Sequence, residues 1–268
     1  MRSEPVTAEI EMPPGTRIQH AHCDTHGAFD QRIYLVLGRE LKGACPECSA
    51  IASEKRETSE RASKAMEIRM AMERKLGSAL IPKRFATRSF DGYTAGTAEQ
   101  RKALNTCRRY AAEFSQIVET GRCLLLLGKP GTGKTHLAVA IANEIMANSS
   151  CTAVYRTVGS VLQAIRATYD RTSEQTEAQI IASLVTPSLL ILDEIGVSKE
   201  KPSDFELTTL FAIINGRYEE LRPTVIVSNL EATALPGAIG DRCADRLREG
   251  GVIVVPFDWE SQRGKEGF

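Results

Sequence analysis

An apolar run that stops at a glycine-rich loop limits this chain more than any other feature. Leu124-Leu125-Leu126-Leu127 is followed by Gly128-Lys129-Pro130-Gly131-Thr132-Gly133-Lys134-Thr135, and a helical pattern then runs from His136 to Met146. Strand, G-x-x-x-x-G-K-T loop and helix in that order form a P-loop. Gly128, Gly131 and Gly133 let the backbone turn its N–H groups toward a polyphosphate without interference from Cβ atoms. The helix that opens at Lys134 adds the positive end of its dipole. Lys134 can reach the β and γ phosphates, and the Thr135 hydroxyl can ligate Mg²⁺. The loop from Gly128 through His136 is therefore the expected nucleotide cradle.

Two later apolar runs complete the picture. Ser188-Leu189-Leu190-Ile191-Leu192-Asp193-Glu194 reads as a strand covered on both faces and ending in two carboxylates. Ligands of open α/β sheets bind at the carboxyl ends of strands. Asp193 there can hold the water shell of Mg²⁺, and Glu194 suits activation of an attacking water. Pro223-Thr224-Val225-Ile226-Val227-Ser228-Asn229 is a third such strand. Asn229 at its end can orient the γ-phosphate or the lytic water, although an Asn in that place is also a common turn residue. Around these strands the spacing predicts helices over 97–120, 158–169, 204–221 and 240–248 and a last strand at 252–255. Thr97 with Gln100 makes a capping box, and Gly121 ends the first of these helices. The expected fold class is α/β, a parallel sheet flanked by helices. Thirteen residues follow Val255, too few for a separate helical lid.

Composition narrows the function class. The formal net charge of the 268 residues is zero, so a nucleic acid partner must be met by a local patch. Apolar runs stay at strand length, well short of the roughly 20 residues of a membrane span. Residues 1–15 lack a signal-peptide core, and the chain reads as cytoplasmic with no membrane partner. Seven cysteines in that setting suggest free thiols or metal ligands.

Residues 1–20 show no periodicity and are expected to be a flexible lead-in. Cys23 and His26, then Cys45 and Cys48, form two C-x-x-[CH] pairs. Three thiolates and one imidazole at this spacing fit a closed, tetrahedral structural zinc site, with Ile33 to Leu37 as a strand joining the pairs. Buried cysteines without a metal are the alternative. From Ser53 to Leu76, five glutamates and seven Lys/Arg between Glu54 and Lys75 describe a charged helix, either a solvated spacer or a surface for a partner protein. The segment Ile81 to Tyr93 is a linker whose aromatics either touch a nucleotide base or simply pack. The expected organisation is a zinc-binding domain over 1–52, a linker helix over 53–80 and an ATPase domain over 81–268.

Asp193-Glu194-Ile195-Gly196-Val197, Asp241-Arg242 with Asp245-Arg246, and Phe257-Asp258-Trp259-Glu260-Ser261-Gln262-Arg263 together resemble bacterial replicative helicase loaders of the DnaC type. They are also similar to transposition helper ATPases of the IstB type. The resemblance covers about 81–263, and the cysteine-bearing N-terminus resembles phage and prophage versions of the loader. It implies an AAA+ fold, binding and hydrolysis of ATP with Mg²⁺, and self-association into a spiral in which a neighbour supplies an arginine. It further implies a hexameric replicative helicase and single-stranded DNA as partners; the IstB alternative implies duplex DNA and a transposase. By position, Arg242 matches the arginine given to the neighbour's site, with Arg246 as competitor. Asn229 matches the first sensor and Arg263 the second. Arg166, Tyr169 and Phe205 fall on elements that face DNA in such loaders, where the arginine can meet phosphate and the rings can stack on bases. Tyr169 can equally cap its own helix in the core.

Overall fold

The computed structural model describes residues 16–170, 172–197 and 201–262, in two units that divide between Arg69 and Met70.

In the first unit, β1 (Arg17–Cys23), β2 (Gly27–Val36) and β3 (Arg39–Lys42) form an antiparallel sheet in that order. Leu37 and Gly38 both take positive φ, the two-residue turn whose twist suits a hairpin. β1 occupies a stretch whose first residues were expected to be a flexible lead-in. Most of its side chains are exposed, so no apolar alternation marks it in the sequence. Among the described residues of this unit only Ile33 and Cys45 are buried, too little core to hold a domain of this size. The charged helix α1 spans Pro46–Ser78, starting seven residues before the expected Ser53. Proline at the first helical position costs nothing, because that N–H has no partner in the helix.

In the second unit, α2 (Ala98–Ala112) and α3 (Phe114–Thr120) replace the single helix expected over 97–120. The break falls at Glu113, whose φ and ψ of −92° and 15° leave the helical region. The Thr97–Gln100 capping box is present, and Gly121 ends α3 with a positive φ. Then follow β4 (Cys123–Gly128), α4 (Lys134–Asn148), β5 (Ala153–Thr157), α5 (Val158–Ala167), α6 (Glu177–Val185), β6 (Leu189–Ile195), α7 (Asp204–Glu219), β7 (Thr224–Ser228), α8 (Leu235–Ile239), α9 (Asp241–Glu249) and β8 (Val252–Phe257). The five strands make one parallel sheet in the order β5-β6-β7-β4-β8.

The four leucines of β4 explain why the run carries no polar residue. Leu124 and Leu126 pack into a core with α2, α3 and α4, whereas Leu125 and Leu127 pack into a second core with α5, α7 and α9. A strand between two helical layers must be apolar on both faces. Parallel register then sets the P-loop, Asp193 and Ser228 at the same carboxyl edge, with Leu127 opposite Ser228 and Ile195 opposite Ser228 on its other side.

Arg217 of α7, 1% exposed, ties this half of the sheet together. Its Nη1 donates to the carbonyls of Leu184, Val185 and Pro187, its Nη2 to those of Ser188 and Pro223, and its Nε to Thr224 Oγ1. One guanidinium thus satisfies the loop entering β6 and the loop entering β7. Arg217→Met keeps the aliphatic stem and strands those buried carbonyls. Urea denaturation is expected to show a loss of about 3 kcal/mol or more.

Candidate nucleotide site and cysteine–histidine cluster

Close packing dictates the glycines of the loop. A Cβ on Gly128, with φ of 127°, would lie 2.5 Å from the Phe257 carbonyl oxygen; one on Gly133, with φ of 95°, would lie 2.6 Å from Tyr93 Cε2. Gly133 also precedes the first residue of α4 and has no side chain to cap it, so the helix's first N–H groups face the loop. The loop is braced from both sides of the chain. Tyr93 Oη and Trp259 Nε1 both donate to the Thr132 carbonyl, at 3.2 and 3.1 Å. Lys129 N–H donates to the Phe257 carbonyl and Gln262 N–H to that of Gly131. Burial pushes the Tyr93 phenol up to about 12, so it remains a donor.

Lys134 is 5% exposed, and its ammonium donates to the carbonyls of Gly128 and Lys129 at 2.7 and 2.6 Å. Its positive charge therefore lies inside the loop. Pro130 and Gly131 form the outer bend, while Thr132 is buried and its hydroxyl donates to the Lys129 carbonyl. His136 turns to the linker segment: Nε2 lies 2.8 Å from the Ser89 carbonyl, and its ring meets Tyr93 edge-on at 5.4 Å. Asn143 of α4 holds the same segment by donating to the carbonyls of Ala86 and Arg88.

Thr135 and Asp193, 58 residues apart, meet directly. Asp193 Oδ2 accepts from Thr135 Oγ1 at 2.8 Å and from Tyr155 Oη at 2.8 Å, while Oδ1 accepts from the Glu194 N–H at 2.7 Å. Glu194 beside it is exposed and takes a φ of 62°, at a point where the pairing of β6 with β7 slips between Leu192 and Ile195. A left-handed glutamate is uncommon, and such strain tends to persist at functional positions. The slip turns Asp193 into the sheet edge and Glu194 out to solvent. Ser228 Oγ closes the slip by donating to the Ile195 carbonyl, and the exposed Asn229 follows at the end of β7. Tyr155 is not legible in the sequence because a tyrosine in the middle of a short strand belongs to no motif.

The two arginines of α9 differ in their commitments. Arg246 is half-buried, donates to Asn215 Oδ1, pairs with Glu249 at 3.0 Å and lies 4.8 Å from the Tyr218 ring centroid. Arg242 is exposed and rests 5.8 Å from the Phe211 ring. Arg263 lies outside the described residues. Arg166, Tyr169 and Phe205 come together: the Arg166 guanidinium sits 5.2 Å from the Phe205 ring, and the two rings are 6.5 Å apart. Tyr169 is 63% exposed and donates to Glu177, so it does not sit in the core.

In the first unit, the ligand atoms of Cys23, His26, Cys45 and Cys48 lie within 4.8 Å of one another. Cys23 Sγ is 3.6 Å from Cys48 Sγ, and His26 Nδ1 lies 3.7, 3.7 and 3.2 Å from the sulfurs of Cys23, Cys45 and Cys48. A tetrahedral zinc with bonds of about 2.1–2.3 Å sets its ligands roughly 3.5–3.8 Å apart, so the cluster is compatible with a zinc site. His26 Nε2 faces Glu47 Oε2 at 3.6 Å, as the free nitrogen of a metal-bound imidazole commonly faces a carboxylate. Backbone N–H groups of Thr25 and His26 bring the Cys23 thiol down to about 6, while its neighbour Cys23 pushes Cys48 up to about 11.

The family described as IstB-like ATP binding protein matches residues 54–247. The replicative helicase loader DnaC of Buchnera aphidicola subsp. Acyrthosiphon pisum is 34% identical over 194 residues, covering 72% of this chain and 76% of that protein. The replicative helicase loader DnaC of Escherichia coli K12 is 32% identical over 228 residues, covering 85% and 87%. A crystal structure of the DnaC helicase loader superposes with a TM-score of 0.58 at 23% identity, over 66% of this chain and 100% of the other. One of DnaI gives 0.55 at 23% identity, over 66% and 94%. Both have the fold of this chain.

Gly133→Ala forces a methyl group against the Tyr93 ring in a backbone region alanine avoids. The melting temperature is expected to drop by several degrees, reflecting about 1–3 kcal/mol, and the loss in the Gly133→Ala/Tyr93→Ala double variant should be smaller than the sum of the two single losses.

Proposed function

The chain belongs to the family of IstB-like ATP binding proteins, with an AAA+ fold, and from that premise we propose that it is an ATP-dependent loader that places a hexameric replicative helicase on single-stranded DNA. What carries the reading is the likeness to named helicase loaders over most of their length, joined to the contact of Thr135 with Asp193 at the loop. In this reading the N–H groups of Gly128–Gly133 and the Lys134 ammonium bind the ATP phosphates. Thr135 and Asp193 would hold Mg²⁺, which neutralises charge on the transferring phosphoryl group. Glu194 accepts the proton of the attacking water, and Asn229 orients that water.

A guanidinium from a neighbouring subunit completes the site. Arg242 suits this role better than Arg246, because Asn215, Glu249 and Tyr218 already engage Arg246. Arg263 is the proposed second sensor. Subunits assemble as a spiral, and Arg166, Tyr169 and Phe205 contact the DNA strand. Hydrolysis acts as a release switch rather than a motor. Cys23, His26, Cys45 and Cys48 would hold a structural zinc that substitutes for the missing core of the first unit. No helix of the described residues is long and apolar enough to cross a membrane, and a cytoplasmic setting is proposed.

A second reading, a transposition helper assembling on duplex DNA, draws on the description of the matching family. Pull-down with the hexameric helicase, ATP and single-stranded DNA separates the two. Stoichiometric helicase capture is expected, and capture of a transposase alone overturns loading. Lys134→Ala should abolish nucleotide binding. Glu194→Gln should keep binding and lower turnover by about 10²–10⁴-fold, measured by phosphate release.

The metal assignment has its own test. Elemental analysis is expected to give one zinc per chain, and Cys45→Ser to lose it. Hydrogen exchange should then rise across residues 17–42 and stay unchanged across β4, β6 and β7.

A further inference from the structure

Asp193 is buried at the sheet edge, and its four lone pairs can be accounted for. Thr135 and Tyr155 both direct hydroxyl protons at Oδ2, and the Glu194 N–H takes one lone pair of Oδ1. The second lone pair of Oδ1 is the one left for a further partner. Thr135 is itself an expected metal ligand, and the Glu194 N–H belongs to the flexed backbone at the slip. Tyr155 is the donor with no such double duty. Its ring is 5% exposed and packs in the core beneath the P-loop helix. Its own N–H donates to the Ala79 carbonyl at 2.8 Å, anchoring an edge strand that would otherwise present that group to solvent.

We infer that Tyr155 is a positioning residue for the metal-binding carboxylate: by occupying Oδ2 from beneath, it fixes the side-chain rotation of Asp193 and leaves Oδ1 to meet the water shell of a nucleotide-bound divalent cation. This rests on the reading of the P-loop and Asp193 as a Mg²⁺–ATP site. Without Tyr155 the carboxylate keeps its charge and its burial but loses the bond that sets its orientation. The cost should fall on metal-dependent binding and leave phosphate binding by the loop alone untouched. Phenylalanine is the informative replacement, since it removes one oxygen and preserves the ring packing.

The test measures binding of a fluorescent ATP analogue by the full chain while Mg²⁺ is titrated, and in EDTA. For Tyr155→Phe the half-saturating Mg²⁺ concentration is expected to rise about tenfold, as for loss of a hydrogen bond to a charged group, with affinity in EDTA unchanged. In an Asp193→Asn background, Tyr155→Phe should add no further shift. Replacement of Tyr155 by 3-fluorotyrosine, which keeps the hydroxyl, should preserve the wild-type midpoint and serves as the folding control. An unchanged midpoint in Tyr155→Phe, or a fall in melting temperature accompanied by equal weakening with and without Mg²⁺, overturns the positioning role. Wild-type binding that ignores Mg²⁺ altogether overturns the underlying site reading instead.

Discussion

Burying a carboxylate costs several kcal/mol unless its lone pairs are met, and the carboxyl edge of this sheet is arranged around meeting those of Asp193. The hydroxyl of Thr135 comes from the first turn of α4, that of Tyr155 from the middle of β5, and the third donor from the chain's own next peptide. Each donor can arrive only if its strand is in register. The slip that ends β6 aims Asp193 inward and Glu194 outward, and Ser228 holds that slip closed from β7. Sheet order, register and the placement of two adjacent acids with different surroundings are thus one constraint seen at three scales. A buried acid beside an exposed one is a division of labour that environment alone can impose.

The P-loop is less autonomous than its motif suggests. Its Thr132 carbonyl accepts from Tyr93, which precedes α2, and from Trp259, which follows β8. Gly131 and Lys129 are tied to Gln262 and Phe257 by backbone bonds. Segments more than a hundred residues apart therefore set the shape of one loop. A displacement of either flank would be transmitted to the phosphate-binding backbone without touching Lys134 or Thr135. That offers a physical route by which contacts made by the C-terminal segment bear on nucleotide binding.

Much of this site was readable from sequence because its chemistry is local. Glycines at fixed offsets, a lysine on the following turn and an acid after an apolar run are each a statement about one short stretch, and the fold brings Thr135 and Asp193 within a hydrogen bond of each other. What escaped reading depends on pairs distant in sequence. Tyr155, Trp259 and Arg217 are ordinary residues until the sheet order is known; each earns its role through a partner 38, 127 or about 30 residues away. β1 escaped for the opposite reason. Its strand is held by backbone pairing with β2 and buries almost nothing, so hydrophobic periodicity had nothing to report. The start of α1 is hidden because its first turn reads as a ligand motif, while Cys48 lies in both the helix and the cysteine–histidine cluster.

The first unit makes the clearest case for chemistry in place of packing. At roughly 25 cal/mol per Å² of apolar surface, a core of Ile33 and Cys45 cannot offset about 1–2 kcal/mol of backbone entropy per ordered residue. A zinc ion held by the four clustered side chains could, because the free energy of binding a structural zinc ion becomes folding free energy, about 10 kcal/mol or more. Cys23 ends β1, His26 lies in the turn before β2, Cys45 immediately precedes α1 and Cys48 is in its first turn, so one ion would fasten the sheet to the start of the helix. Leu35, Val36, Leu37 and Leu41 remain exposed on β2, β3 and the turn between them. A sheet whose order came from a metal would be free to keep such residues at its surface, where a core-dependent sheet would have to bury them.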